Sequence, residues 1–549
     1  MQKRLLISLF SLTIITTLFL SSCGVQTKQL NNLSTYQTMR VSAGNCDYGG
    51  EIKSVASIDE FTVRFSLCTP DVAFPAKLTS PIFAVQDEDF LNAHQGDPAK
   101  MTNTINGTGP YRLISNSPAG LIQLHSSSSY WGVPPITQEI DFAFMSHPQS
   151  TPITNEINNS GVITSNNLTE PATAMLMRNT NLLKMSHPPL SLVYIGFNNK
   201  ISPMDNQMVR RALSMVLDRS KLVKAYLSSG SEVASQIIPA NITPGYSDSI
   251  SWYGFDPIDA KTVLANANFD FSQVLTLAYV DGMVDYILNP VDMVKEIQAE
   301  FAAIGVNIEL KPMSQSDFNT AMATGSEMMF LNSFSALYPD GTAFYEFPFI
   351  RQSSQFGESY SDILQKLKIV QADINTNKRQ IEFDQLNQTF KDQVALIPLG
   401  NTPEWSFFNK NIKNIGVYED YEDLETLANN GDPITVLEAE RPLSLWPADE
   451  TNIDTFRISR LFYDTLVTYG STNLQIRSDL ADSWESNADA TQWTFHLRYG
   501  VKFSNGASLD ANDVVTSFAA IWDASDANHK GRTGDFTIFK ELFGPLLNQ

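Results

Sequence analysis

Apolar and polar positions alternate with a period of two along several stretches of the chain. Phe61, Val63, Phe65 and Leu67 are interleaved with Thr62, Arg64 and Ser66, the pattern of a half-buried strand. Glu51 to Ile58 alternates less cleanly, with Ile52, Ala56 and Ile58 on one face, so the two stretches predict a hairpin about Asp59-Glu60. Asn106 to Tyr111 reads as a loop leading into a strand at 112–115, and Tyr130-Trp131-Gly132 closes the following hairpin. Leu192 to Asn198 is a short apolar strand. Val209, Ala212, Leu213 and Val216 then form a helical stripe with Asp205 as the expected N-cap. A second helix opens on Asn289 and Pro290, repeats Val294, Ile297, Phe301 and Ile304, and stops at Gly305. Val306, Ile308 and Leu310 follow as a half-buried strand. Near the end, Trp493, Phe495 and Leu497 alternate, and Val514, Val515, Phe518, Ala519 and Trp522 form another helical stripe. Strands and helices are mixed throughout, which predicts an α/β or α+β class.

The front of the chain departs from this pattern. Lys3 and Arg4 precede a mostly apolar run from Leu5 to Leu20, shorter than the roughly 20 residues of a spanning helix. Basic start, apolar stretch and small residues describe an export signal over 1–22. Leu20-Ser21-Ser22-Cys23 resembles the lipobox of bacterial lipoproteins, which implies that Cys23 carries diacylglycerol and becomes the mature N-terminus. Each buried CH2 contributes about 0.8 kcal/mol and stable anchoring needs more than one chain, which a diacylated, N-acylated cysteine would supply. Residues 23–40 read as a tether. The segment 418–432 is acidic and polar and reads as a linker.

Composition narrows the function. The chain has 549 residues, enough for two to four units at roughly 100–200 residues each. Hydrophobic residues at 43% and charged ones at 17% exclude disorder as the main state. With 59 acidic and 37 basic residues the net charge is −22, which gives no electrostatic basis for holding nucleic acid. Three cysteines and six scattered histidines argue against a metal centre, and no cofactor is expected. There is no phosphate loop, His-Glu-x-x-His, nucleophile elbow or Cys-x-x-Cys, and no carboxylate pair stands out, so no catalysis is expected. Beyond Cys23 the cysteines are Cys46 and Cys68, which flank the 51–67 hairpin. In an exported chain they are expected to pair, the alternative being two buried thiols.

Several blocks together resemble family 5 of the extracellular solute-binding proteins, the peptide-type receptors of ABC importers. Gly107 to Tyr111 is similar to that family's GTGPY loop, with Tyr130-Trp131-Gly132 in place of its NPDYWG turn. Tyr194 to Asn198 is similar to YLGFN, Val209 to Leu213 with Asp218-Arg219 to VRQALAYAIDR, and Tyr338-Pro339-Asp340 to YPDP. Leu480 to Trp484 is similar to LAESW, and Phe495 to Gly506 with Asp513-Val514 to FxLRxGxKFxxGxxLxAxDV. The resemblance implies a two-lobed periplasmic-binding-protein-like α/β fold of type II, the large peptide-receptor type, closing on its ligand by a hinge. The order of the blocks differs. In the family the last two precede GTGPY, whereas here they come at 433–549, and each occurs once. That is the order of a circular permutation, with the ancestral ends joined by 418–432; the alternatives are a rearranged reading frame and a truncated tandem pair. On this reading 41–115 with 464–549 forms a small subdomain of lobe I, 116–190 with 397–417 and 433–463 its core, and 191–396 lobe II.

The resemblance also implies where a ligand sits. In peptide-binding members an aspartate before the tyrosine of the YPDP-type loop pairs with the peptide ammonium. Leu337 stands there, and a leucine cannot neutralise a buried ammonium. Asp340 is the substitute acid. Trp446 stands where the family's LDP motif has its aspartate, and Phe334, Tyr338 and Trp405 fall in segments placed by the cleft. The expected ligand is a peptide, delivered to ABC-importer permease subunits by a monomer that touches the membrane only through its N-terminal lipid. The alternatives are an oligosaccharide or other neutral solute, held by those aromatic faces, and a surface lipoprotein acting as adhesin or sensor. The expected location is extracytoplasmic.

Overall fold

The computed structural model describes residues 36–549 apart from 119, 146–156, 158–160, 166, 167, 169, 283, 418–421 and 471–473. The export-signal run and Cys23 lie outside the described residues. No helix among the described residues is long and apolar enough to cross a membrane.

The predicted hairpin forms as Ile52–Asp59 paired with Thr62–Leu67. Val63, Phe65 and Leu67 are buried, as their alternation requires. Ile58 is not; bulges between Ile52 and Ser54 and between Ser57 and Asp59 reset the alternation, so Val55 turns inward and Ile58 outward. The hairpin is the middle of a five-stranded sheet ordered 40–42, 52–59, 62–67, 492–497, 481–486. Gln492–Leu497 therefore pairs with a strand more than 400 residues earlier, setting Trp493 opposite Phe65 and Phe495 opposite Val63. The ring of Phe65 meets those of Phe74, Phe495 and Phe518 at 5.1, 5.6 and 4.8 Å between centroids. Such tilted and edge-on contacts add to the area they bury. Phe518 comes from the helix Ala511–Trp522, which is opened by a capping box between Asp510 and Asp513 and buried on nearly every side.

A seven-stranded sheet is ordered 111–116, 122–126, 139–144, 434–438, 161–164, 405–409, 182–186. Ile434–Glu438 lies in its middle, parallel to both neighbours. A six-stranded sheet is ordered 232–233, 396–401, 191–197, 329–335, 274–280, 307–313. Here the helix Pro290–Ala303 connects the parallel strands Val274–Val280 and Asn307–Met313, the crossover that parallel pairing demands. Asn289 accepts from the Asp292 amide at 3.0 Å, and Gly305, at φ +89°, takes the left-handed step that ends the helix.

Three local expectations need correction or extension. The helix Gln207–Val216 is capped by Asn206, whose side chain accepts from the Met208 amide, and not by Asp205. The acidic segment is not a solvated linker where it is described. Leu424 and Leu427 are buried, Lys413 and Ala428 exchange two backbone hydrogen bonds, and buried Glu422 accepts from Ser406 at 2.6 Å. Leucines three apart give the segment an inner face that the surrounding acids conceal. Cys46 and Cys68 form a disulfide, their Cα atoms 5.6 Å apart, with the chain returning through Gly49 at φ +89°. Closing a loop of 22 residues stabilises by about 3 kcal/mol in the chain-entropy account.

Candidate functional site

The strand Met329–Ser335 and the residues just after it carry most of the sequence-predicted site, and the fold separates them. Phe334 is buried, its ring against those of Tyr194, Phe344 and Phe347. Tyr338 is also buried and donates to Glu346 at 2.7 Å. The same Glu346 oxygen accepts from Lys77 at 3.1 Å, and Lys77 reaches Asp71 at 2.8 Å and Glu51 at 3.1 Å. Lys77 is wholly excluded from water; burial alone would lower its pKa, but the three carboxylates together raise it. Asp340 is committed to Arg379, which donates twice at 2.7 Å, and to Thr342. Burial pushes the Asp340 carboxyl up, but the Arg379 guanidinium outweighs it and holds the group below the usual carboxylate range. Asp340 is thus a closed ion pair, not a substitute ligand acid. Trp446 packs in the core with its backbone N–H on Ser444. Trp405 donates from Nε1 to the Ser229 carbonyl at 2.7 Å, and a Cβ at Gly230 would come within 2.8 Å of its ring.

Leu337 is the exception. It lines a cavity of about 200 Å³ together with Ser335, Ala336, Tyr286 and Glu404. The same cavity is lined by Thr79 to Pro81, Phe456, Arg457 and Arg460 of the helix Ile453–Ser459 and its end, and Tyr469. The walls are apolar and aromatic with a few charged groups, the usual make-up of a small-molecule site. Phe334, Tyr338, Asp340, Trp405 and Trp446 are not among its lining residues.

Arg457 is one of three charged residues that line this cavity, with Glu404 and Arg460. It is fully buried, its Nη1 2.5 Å from Glu438, its Nε 3.2 Å from Glu422, and its Nη2 donates to Thr164 at 2.7 Å. Burial raises the Glu438 pKa well above the carboxylate range even with Arg457 beside it. Arg460 donates to the Thr79 carbonyl and lies over the Tyr469 ring at 5.8 Å. No sequence motif marked Arg457, Arg460, Glu404 or Phe456; a single Arg on a short helix carries no signal until the fold brings its partners from residues 164, 422 and 438.

A second cavity of about 170 Å³ adjoins the first, sharing Pro81, Arg457 and Arg460 with it. Glu422, Asp423, Glu425, Asp464 and Asp479 line it. Enclosure, then the charges of Asp464 and Asp423, pushes Glu425 up to about 8. Burial pushes Asp464 up to about 6, though Trp131 donates to it at 3.0 Å.

Comparison with known proteins agrees with the architecture. The family model of bacterial extracellular solute-binding proteins, family 5 Middle, matches residues 27–355 and 475–540. The dipeptide-binding protein of Escherichia coli is 23% identical over 399 residues, 70% of this chain and 74% of its own. Heme-binding protein A of Haemophilus influenzae is 24% identical over 278 residues, half of each chain. The structure of HbpA2 from Haemophilus parasuis superposes with a TM-score of 0.62 at 20% identity, covering 70% of this chain and 76% of that one. A dipeptide-binding protein from Pseudoalteromonas, in complex with Met-Leu, gives 0.54 at 18%, covering 69% and 75%. The fold is the mixed α/β, two-lobed arrangement of periplasmic binding proteins.

Proposed function

The chain belongs to the family 5 bacterial extracellular solute-binding proteins, and from that premise we propose that it captures a peptide-like ligand between its lobes and hands it to the permease of an ABC importer. The observation that carries the reading is the cavity at Leu337, whose lining combines Tyr286, Ser335 and Leu337 from residues 191–396 with Phe456, Arg457 and Arg460 of the helix Ile453–Ser459 and its end. The lobes would be residues 191–396 and the remainder, with the blocks of the remainder in permuted order and 418–432 at the old junction. Gln492–Leu497 pairing with Thr62–Leu67 is what that order requires of a chain whose two ends share one sheet. Binding and delivery need no bond to be made or broken. The relatives that bind dipeptides support the ligand class. The oligosaccharide alternative loses support because Phe334, Tyr338, Trp405 and Trp446 are engaged in packing away from the cavity wall.

Native mass spectrometry of the protein purified from its own membrane tests the ligand class. The expected result is a co-purifying mass that fragments as a short peptide; a saccharide or no small molecule would count against it. The proposed lipid anchor on Cys23, outside the described residues, has its own test. Cys23→Ala protein should lose detergent partitioning and accumulate unprocessed or be shed. A variant matured and retained like the wild type would remove the anchor from the account.

A further inference from the structure

The second cavity has a character that the peptide reading alone does not explain. Its acids come from separate parts of the chain. Asp423 and Glu425 lie on the folded acidic segment, Asp464 follows the helix Ile453–Ser459, and Asp479 precedes the strand Ala481–Ser486. Facing them are two guanidinium groups, Arg457 and Arg460, and the first is already held by Glu422 and Glu438. Arg477 acts on Asp423 from outside and Arg498 on Asp479. Negative charge is therefore in excess on this wall, and burial makes it costly unless a cation arrives or protons do. The phenol of Tyr463 also lines the chamber. Its side chain is 3% exposed, and its hydroxyl has no hydrogen-bond partner in the protein. A buried hydroxyl without a partner is costly, so a ligand that supplies a donor gains there. A metal ion does not fit: among the described residues no three His, Cys, Asp or Glu side chains converge closely enough to hold one. A cation that carries several N–H donors and spans the spread of carboxylates does.

We propose that this chamber is a cation subsite that takes the alkylammonium or guanidinium end of a ligand whose remainder lies in the cavity at Leu337. The two cavities share Pro81, Arg457 and Arg460 as lining residues, so they lie side by side within the reach of one short molecule. The inference rests on the peptide-receptor reading for the rest of the ligand, and it names that ligand as a peptide with a lysine- or arginine-like side chain. The same chemistry could come from a free diamine. Burial makes Glu425 and Asp464 hold protons more tightly than in water, so entry of the cation drives them to ionise and releases protons.

The test is titration calorimetry of the full mature chain at pH 7 with Ala-Lys, Ala-norleucine and cadaverine, in phosphate and in Tris. Ala-Lys should bind at least about tenfold more tightly than Ala-norleucine, and its heats in the two buffers should differ by the number of protons released times the difference between the buffers' own ionisation enthalpies. Glu425→Gln and Asp464→Asn should each shrink the preference, and the pair should bring it near one. If the pair fails to fold, the wild-type preference and proton release still decide. Equal or tighter binding of Ala-norleucine, or no proton release with Ala-Lys, overturns the chamber and leaves the peptide receptor standing. Binding of cadaverine alone keeps the chamber, assigns it to a free diamine and overturns the peptide reading. No heat with any of the three overturns both.

Discussion

A chain cut after Asp432 is expected to aggregate on expression. The deletion removes Ile434–Glu438 from the middle of the seven-stranded sheet and Gln492–Leu497 with Ala481–Ser486 from the five-stranded one. It also removes Phe495 and Phe518, which cover Phe65. Thr62–Leu67 would then be an open edge with apolar side chains beside it, the arrangement that pairs with other chains. Burying one large apolar side chain contributes about 1.5–3 kcal/mol, and several are uncovered together, so the loss exceeds the whole margin of about 5–15 kcal/mol typical of a native protein. Sedimentation and thermal melting of the soluble fraction check this. Supplying 433–549 as a separate chain should rescue solubility and co-purify. A soluble 1–432 chain that melts cooperatively would show that the two ends are independent units, and the permuted division would fall with it.

The second large effect is expected at Lys77. Lys77→Met leaves Asp71, Glu346 and Glu51 gathered around an apolar side chain, and removing one partner of a buried ion cluster costs about 3–5 kcal/mol. The loss should depend on pH in a stated direction. Burial, which Lys77 only partly offsets, already pushes Asp71 up to about 7 in the folded protein. A carboxyl raised in the folded state favours folding below its unfolded pKa, near 4, and that contribution disappears as pH rises through the folded value. Without Lys77 the folded pKa rises further, so the variant should lose less at pH 5 than at pH 8. Urea midpoints at the two pH values measure it. A loss under about 1 kcal/mol at pH 8, or one that grows toward pH 5, would show that Lys77 is not the counter-ion of this cluster.

Much of the frame was legible because it is written in local periodicity. The 52–67 hairpin, the helix Pro290–Ala303 with its Asn and Gly ends, and the Trp493–Leu497 strand each follow from a period and a cap. Asn206 displaced Asp205 as a cap because both residue types suit that role and only the backbone decides which amide is reached. Ile58 faced the wrong way because a bulge changes parity without leaving a mark in composition. The site was much less legible. Leu337 emerged because the resemblance pointed to its position, and it does line the cavity. The aromatic residues around it read equally well as ligand platforms or as core, and burial, which only the fold determines, put Phe334, Tyr338 and Trp446 in the core. Asp340 could not be recognised as spent without Arg379, 39 residues away. The acidic segment misled for the same reason: its charge suggested solvent, while Glu422 belongs to Arg457 and Glu425 to a buried chamber.

The central claim is that the cavity at Leu337 receives a peptide. Titration calorimetry of ligand-stripped protein with pooled di- and tripeptides, and separately with maltotriose, tests it most directly. The account predicts a saturable response to the peptides at one site per chain, weakened at least about tenfold by Phe456→Asp in the cavity wall, and no response to the sugar. Saturable binding of maltotriose with silence from every peptide would contradict it.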